Sequence, residues 1–168
     1  MNVNLINRIL TKYFPHTPTS GQEDLIQSFS RFLNDEKPKK AFVLKGYAGT
    51  GKTSFVRSLV KSLPSMKMKT VLLAPTGRAA KVLQHYSGSQ AFTIHKKIYF
   101  NQISKSGQLI SRLKENKHRN TLFIVDEASM VPGSNSGSTG QLFNNQDLLS
   151  DLIEFVYNKQ NCHLLLIG

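Results

Sequence analysis

Residues 42–60 read FVLKGYAGTGKTSFVRSLV, and no other stretch of the chain restricts its fold as sharply. An apolar run comes first, then Gly46-Tyr47-Ala48-Gly49-Thr50-Gly51-Lys52-Thr53, then apolar residues at helical spacing. The eight central residues fit G-x-x-x-x-G-K-[ST]. In that pattern glycines let successive backbone N–H groups converge on one centre, which a Cβ would obstruct. A strand before the loop and a helix after it are the required context, because the helix then aims its positive end at the same centre. Phosphate is the ligand this arrangement suits. Lys52 is the mobile cation for terminal phosphates, and Thr53 supplies a hydroxyl for Mg²⁺.

A loop of this kind predicts strands alternating with helices, and the rest of the chain fits that prediction. Short β-rich runs occupy 41–45, 70–74, 121–125 and 163–167. Each is continuously apolar, as in parallel strands buried on both faces. Helical patterns separate them. Residues 20–33 carry Leu25, Ile26, Phe29, Phe32 and Leu33, with Ser20 and Glu23 as the expected capping box. Residues 52–63 end at Pro64, 77–86 follow a Thr76 cap, and 148–157 lead into the last strand. An α/β fold follows: a phosphate-loop NTPase (RecA-like) with a parallel sheet, helices on both faces and right-handed crossovers. Two stretches interrupt it. Residues 98–120 read as an inserted β-hairpin with a Ser106-Gly107 turn, and 131–147, rich in Gly, Ser and Asn, read as a mobile loop.

The chain has 168 residues, enough for one domain with a core. Its N-terminus has no apolar stretch long enough for a secretory signal. Leu5, Ile6, Ile9, Leu10, Tyr13 and Phe14 instead repeat at helical spacing up to Pro15, which reads as a packed amphipathic helix rather than a transit peptide. No run approaches the roughly eighteen apolar residues of a membrane span. The single cysteine, Cys162, excludes an internal disulfide framework and points to a reducing, cytoplasmic setting. Charge is more telling: 22 Lys and Arg against 10 Asp and Glu give +12. Such a field favours a polyanion, nucleic acid ahead of an anionic membrane.

In TLFIVDEASMV an apolar strand delivers Asp126 and Glu127 at its C-terminal end, where ligands bind in open α/β sheets. Adjacent acids there have two readings. They can cap the next turn, or they can serve an ATPase, one near Mg²⁺ and one orienting or deprotonating water. The phosphate loop favours the second.

Taken in order, GYAGTGKT, LLAPTGRAAKVL, TIHK and IVDEASMV resemble motifs I, Ia, Ib and II of superfamily 1 DNA helicases of the RecD and Dda type, which move 5′ to 3′. The resemblance covers 21–168 and rests on four motifs together. It implies ATP and Mg²⁺ as cofactors and single-stranded DNA as partner. Lys52 and Thr53 would hold the β- and γ-phosphates and Mg²⁺, with Gly46, Ala48, Gly49, Thr50 and Gly51 shaping the loop. Asp126 would hold Mg²⁺ through water, Glu127 would be the general base, and Gln22 in SGQEDLI would contact the adenine. Pro75, Thr76, Gly77 and Arg78 would grip the strand's backbone, with Thr93 and His95 as a second contact. A satisfied local hydrogen bond is the other reading of His95.

The 98–120 insertion sits where that family carries a strand-separating pin. Tyr99 and Phe100 either stack on a base or pack into the hairpin. Nothing in the chain matches the later helicase motifs or the second motor domain, so the resemblance implies a first motor domain cut short. Two other readings stay in view: a phosphate-loop ATPase of AAA+ type, and a basic nucleic-acid-binding module without turnover. The first lacks a reason to carry PTGRAAKVL and TIHK; intact Lys52, Thr53, Asp126 and Glu127 argue against the second.

Overall fold

Three strands decide the architecture: β2 (Lys69–Ala74), β6 (Thr121–Val125) and β7 (Cys162–Ile167). Successive side chains of a strand point to opposite faces, and here both faces are covered. Leu72, Ala74, Leu122, Ile124, Leu165 and Ile167 enter one apolar cluster. Val71, Leu73, Phe123, Val125, Cys162 and Leu164 enter another. The computed structural model describes residues 2–103, 109–133 and 147–168.

The first cluster is closed by α1 (Val3–Lys12), α2 (Ser20–Asn34), α3 (Lys52–Ser62) and α4 (Gly77–Ser87). The second is closed by the short α5 (Ile94–Ile98) and by α6 (Leu148–Tyr157). With β1 (Ala41–Leu44) and β3 (Ala91–Thr93), the strands form a five-stranded parallel sheet in the order β1-β7-β6-β2-β3. The fold is therefore α/β with helices on both faces, and the last strand lies between those that carry the loop and the carboxylates. Among the described residues no helix is long and apolar enough to cross a membrane. The N-terminal pattern forms a packed helix: Ile6 and Leu10 are buried, and Ser58 Oγ donates to Leu10 O at 2.8 Å.

Four expectations need correction. The strand at 41–45 is not buried on both faces, because β1 is an edge: Phe42 and Leu44 pack inward while Val43 is 56% exposed. The capping box of α2 is Thr19 with Gln22 rather than Ser20 with Glu23, since Ser20 is already helical; Gln22 Oε1 accepts from Thr19 N at 3.1 Å. Strand β3 is additional, three residues recruited by pairing Leu72–Ala74, too short to stand out by pattern.

The hairpin is the fourth. It is narrower than 98–120, pairing β4 (Tyr99–Ile103) with β5 (Leu109–Leu113) antiparallel. Its base is packed: Tyr99 is buried, its hydroxyl donates to Asp151 Oδ2 of α6, and Leu113 joins the second cluster. The return segment is also tied down. Buried Asn116 donates to Val156 O at 3.3 Å and accepts from His118 N at 2.9 Å. The Ser106-Gly107 turn and most of the 131–147 loop lie outside the described residues.

Candidate nucleotide and strand-binding site

Leaving β1, the chain turns through Gly46 to Gly51 and enters α3 at Lys52. Two glycines make the turn possible. Gly49 (φ +81°) and Gly51 (φ +93°) are left-handed, a region that costs an L residue about 1–2 kcal/mol. At Gly51 there is also no room, since a Cβ would sit 2.2 Å from Gln22 Nε2. Gln22 thus packs directly against the loop. The capping box of α2 commits its Oε1 and holds its amide there. Residue patterning gives no sign of this contact, although the resemblance assigns Gln22 to the same site.

Thr50 tightens the turn, its Oγ1 donating to Tyr47 O at 2.8 Å. The Lys52 ammonium lies on the loop's own carbonyls, donating to Gly46 O and, at 3.0 Å, to Tyr47 O. Thr53, in the first turn of α3, is exposed.

The carboxylates arrive from β6. Asp126 N donates to Leu73 O at 3.0 Å, which extends the β6–β2 ladder by one residue and fixes the Asp126 backbone. Glu127 then takes φ +54°, ψ +39°, a strained conformation for a glutamate, and the chain turns through Ala128–Met130. Gly168, after β7, joins the two halves. Its N donates to Leu44 O at 3.0 Å, its O accepts from Gly46 N at 3.2 Å, and Ser129 lies 3.5 Å from where a Cβ would project. The phosphate-loop pattern and the DEAS turn therefore border the same strand end.

Mg²⁺ usually takes one or two carboxylates and completes its shell with phosphate oxygens and water. Among the described residues no group of three or more His, Cys, Asp or Glu could hold a metal by itself. A hydroxyl at Thr53 and a carboxylate at Asp126 fit a cation that arrives with a nucleotide. The left-handed Gly49 and Gly51 fit its phosphates.

Asp126 has a partner that sequence reasoning missed. Tyr86, near the end of α4, donates its hydroxyl to Asp126 Oδ2 at 2.7 Å, while Glu127 N donates to Oδ1 at 3.1 Å. Burial, then the bond to Asp126, raise the phenol far above its ordinary range. An aromatic three residues after Leu83 reads in sequence as core, and its ring does pack there. Only the fold shows where its hydroxyl goes.

The residues expected at the DNA strand gather along the same edge of the sheet. Thr93 of β3 pairs with Ala74 of β2, and Pro75 and Thr76 follow Ala74. Thr76 caps α4, accepting from Ala79 N at 3.2 Å; Thr93 caps α5, accepting from Lys96 N at 3.2 Å. Both hydroxyls can still donate. Gly77 and Arg78 open α4, exposed, and His95 is exposed with its ring tilted against Tyr99 at 5.8 Å. Lys97 stacks over Phe92 at 5.2 Å; burial, and then Lys114, lower its pKa. Of the two aromatics at the hairpin base, Phe100 is 42% exposed and Tyr99 is not available to a base.

The AAA domain family matches residues 31–168. Over 116 residues the chain is 33% identical to the ATP-dependent DNA helicase dda of Enterobacteria phage T4, covering 67% of this chain and 26% of that protein. Over 114 residues it is 28% identical to the ATP-dependent RecD2 DNA helicase of Deinococcus radiodurans, covering 68% of this chain and 15% of that protein. It spans about a quarter of the first relative's length and less of the second's.

Proposed function

We propose, since this chain belongs to the AAA domain family, that it binds Mg²⁺–ATP and forms part of the motor of a DNA helicase that travels on single-stranded DNA. The observation that carries the nucleotide half is Gly168, on which the Gly46 turn and the DEAS turn converge from either side. In this reading the N–H groups of Gly46 to Lys52 cradle phosphates, and Lys52 leaves the carbonyls of Gly46 and Tyr47 for the terminal ones. Thr53 and Asp126 hold Mg²⁺, which when bound neutralises charge developing on the transferred phosphoryl group. Glu127 accepts a proton from the attacking water. Gln22, which packs beside the loop, is assigned the contact to the adenine.

The strand half of the proposal rests on the two named relatives, both DNA helicases, and on the line of Thr76, Arg78, Thr93 and His95 along one sheet edge. Its contacts are to phosphate and sugar, so they are tolerant of sequence. Phosphoryl transfer also needs an arginine to stabilise charge on the γ-phosphate, and this reading assigns it to a second motor domain. A cytoplasmic setting is part of the same reading. The test is to titrate the chain with Mg²⁺–ADP and with oligo-dT, then follow ATP hydrolysis with and without the oligonucleotide. Binding of both, with hydrolysis by these 168 residues barely above background, is the expected result. Failure to bind either one overturns the corresponding half.

A further inference from the structure

We propose that Tyr86 is a positioning residue for the nucleotide centre: from the end of α4 its hydroxyl fixes the Asp126 carboxylate in the orientation that meets the divalent cation. The proposal deepens the reading of Asp126 given above and rests on it.

Asp126 is held at two points. Tyr86 donates to Oδ2 and the Glu127 N–H to Oδ1, so the carboxylate cannot turn about its Cβ–Cγ bond without losing one of them. Each oxygen keeps further lone-pair capacity on the side away from its donor. Neither donor is charged. A lysine or arginine in place of Tyr86 would neutralise the carboxylate and compete with a cation, whereas a phenol orients it and leaves its negative charge available. The arm that carries the hydroxyl is stiff: the ring has two side-chain torsions and packs on the apolar cluster beneath α4. The backbone of Asp126 is likewise fixed by Leu73 O.

The position of Tyr86 adds a consequence. Helix α4 begins at Thr76, Gly77 and Arg78, the expected strand-gripping turn, and ends at Ser87, one residue past Tyr86. One rigid element therefore touches the expected DNA path at its first turn and the cation's carboxylate at its last.

The test is Tyr86→Phe, which keeps the ring and removes only the donor. ADP affinity is measured by calorimetry in Mg²⁺ and in EDTA. The ratio of the two is the readout, because a purely structural role would not move it. Affinity in EDTA is expected to stay within about twofold, while the enhancement by Mg²⁺ falls about three- to tenfold, the scale of one lost hydrogen bond. In an Asp126→Asn background the same substitution should have no further effect on the ratio. An unchanged ratio overturns the proposal, whether neither affinity moves or both fall by the same factor. If the unsubstituted chain gains nothing from Mg²⁺, the reading of the nucleotide site falls as well, a different result from an unchanged ratio. Tyr86→Met, similar in bulk and without a donor, repeats the measurement should the phenylalanine variant fail to fold.

Discussion

Lys52 rests on the carbonyls of its own loop, bonds it can exchange for phosphate at little cost. Lys52→Ala should therefore weaken Mg²⁺–ADP binding by about 10- to 100-fold, the equivalent of one charge-assisted contact of ~1.5–3 kcal/mol. Calorimetry showing unchanged affinity would place the site elsewhere. Lys67 and Glu127 make a second comparison at this scale, since both have a left-handed backbone, φ +57° and +54°. At Lys67, which ends the short turn before β2, the conformation serves only the chain's path. Lys67→Gly should raise stability by about 0.5–1 kcal/mol in urea denaturation. At Glu127 the same relief would come with loss of the carboxylate. Glu127→Gly should be stabilised similarly, and in the full-length helicase proposed above it should hydrolyse no ATP, whereas Glu127→Gln there should keep nucleotide binding and lose turnover.

Among the elements, the hairpin separates two aromatic roles that adjacent residues left open. Tyr99 faces inward and donates to Asp151, so Tyr99→Phe should loosen the base and cost about 1–2 kcal/mol in a thermal melt. Phe100, on the opposite side of the strand, is exposed. Phe100→Ala should leave the melt within about 0.5 kcal/mol. If the hairpin meets DNA, that substitution lowers oligo-dT affinity or, in the full-length helicase proposed above, unwinding without changing ATP turnover; equal loss of both activities there would make it a structural element. Helix α4 invites a different measurement. Oligo-dT should change Mg²⁺–ADP affinity, and ADP should change oligo-dT affinity by the same factor.

For the molecule as a whole, charge and one buried base set the response to solution conditions. With +12 over 168 residues, strand binding should fall steeply with salt and depend little on sequence. A flat salt dependence would argue against a phosphate-gripping surface. His163, on β7, is buried against Phe32, with Nε2 at 3.0 Å from Asn161 Oδ1 and Nδ1 unpartnered among the described residues. Burial, reinforced by Lys40, lowers its pKa to about 4. The unfolded chain takes up a proton as pH falls through about 6.5, and the folded one does so only near 4. The stability present above pH 6.5 is therefore lost across that window, by up to about 3 kcal/mol. His118 is lowered by burial and then by Lys97 and Lys69, so it acts in the same direction. His163→Leu should flatten the stability profile between pH 6.5 and 4; an unchanged slope would assign the loss to other groups.

Much of this protein was determined by sequence alone, wherever the controlling interactions are local. The loop from Gly46 to Thr53, the helix it opens and the acidic strand end at Asp126 and Glu127 depend on glycine conformations and short apolar runs, which neighbours in sequence settle. The α/β alternation follows from the same runs. The tertiary structure decided what depends on distant partners. Val43 is exposed because β1 lies at an edge, and strand order is not written in any strand. Ala91–Thr93 is a strand because Leu72–Ala74 lies beside it. Gln22 meets Gly51, and Tyr86 meets Asp126 across 40 residues of chain. Apolar patterning places a ring in the core, but it carries no information about which acceptor a hydroxyl at the ring's edge will find. That acceptor is fixed only when helix α4 docks on the sheet.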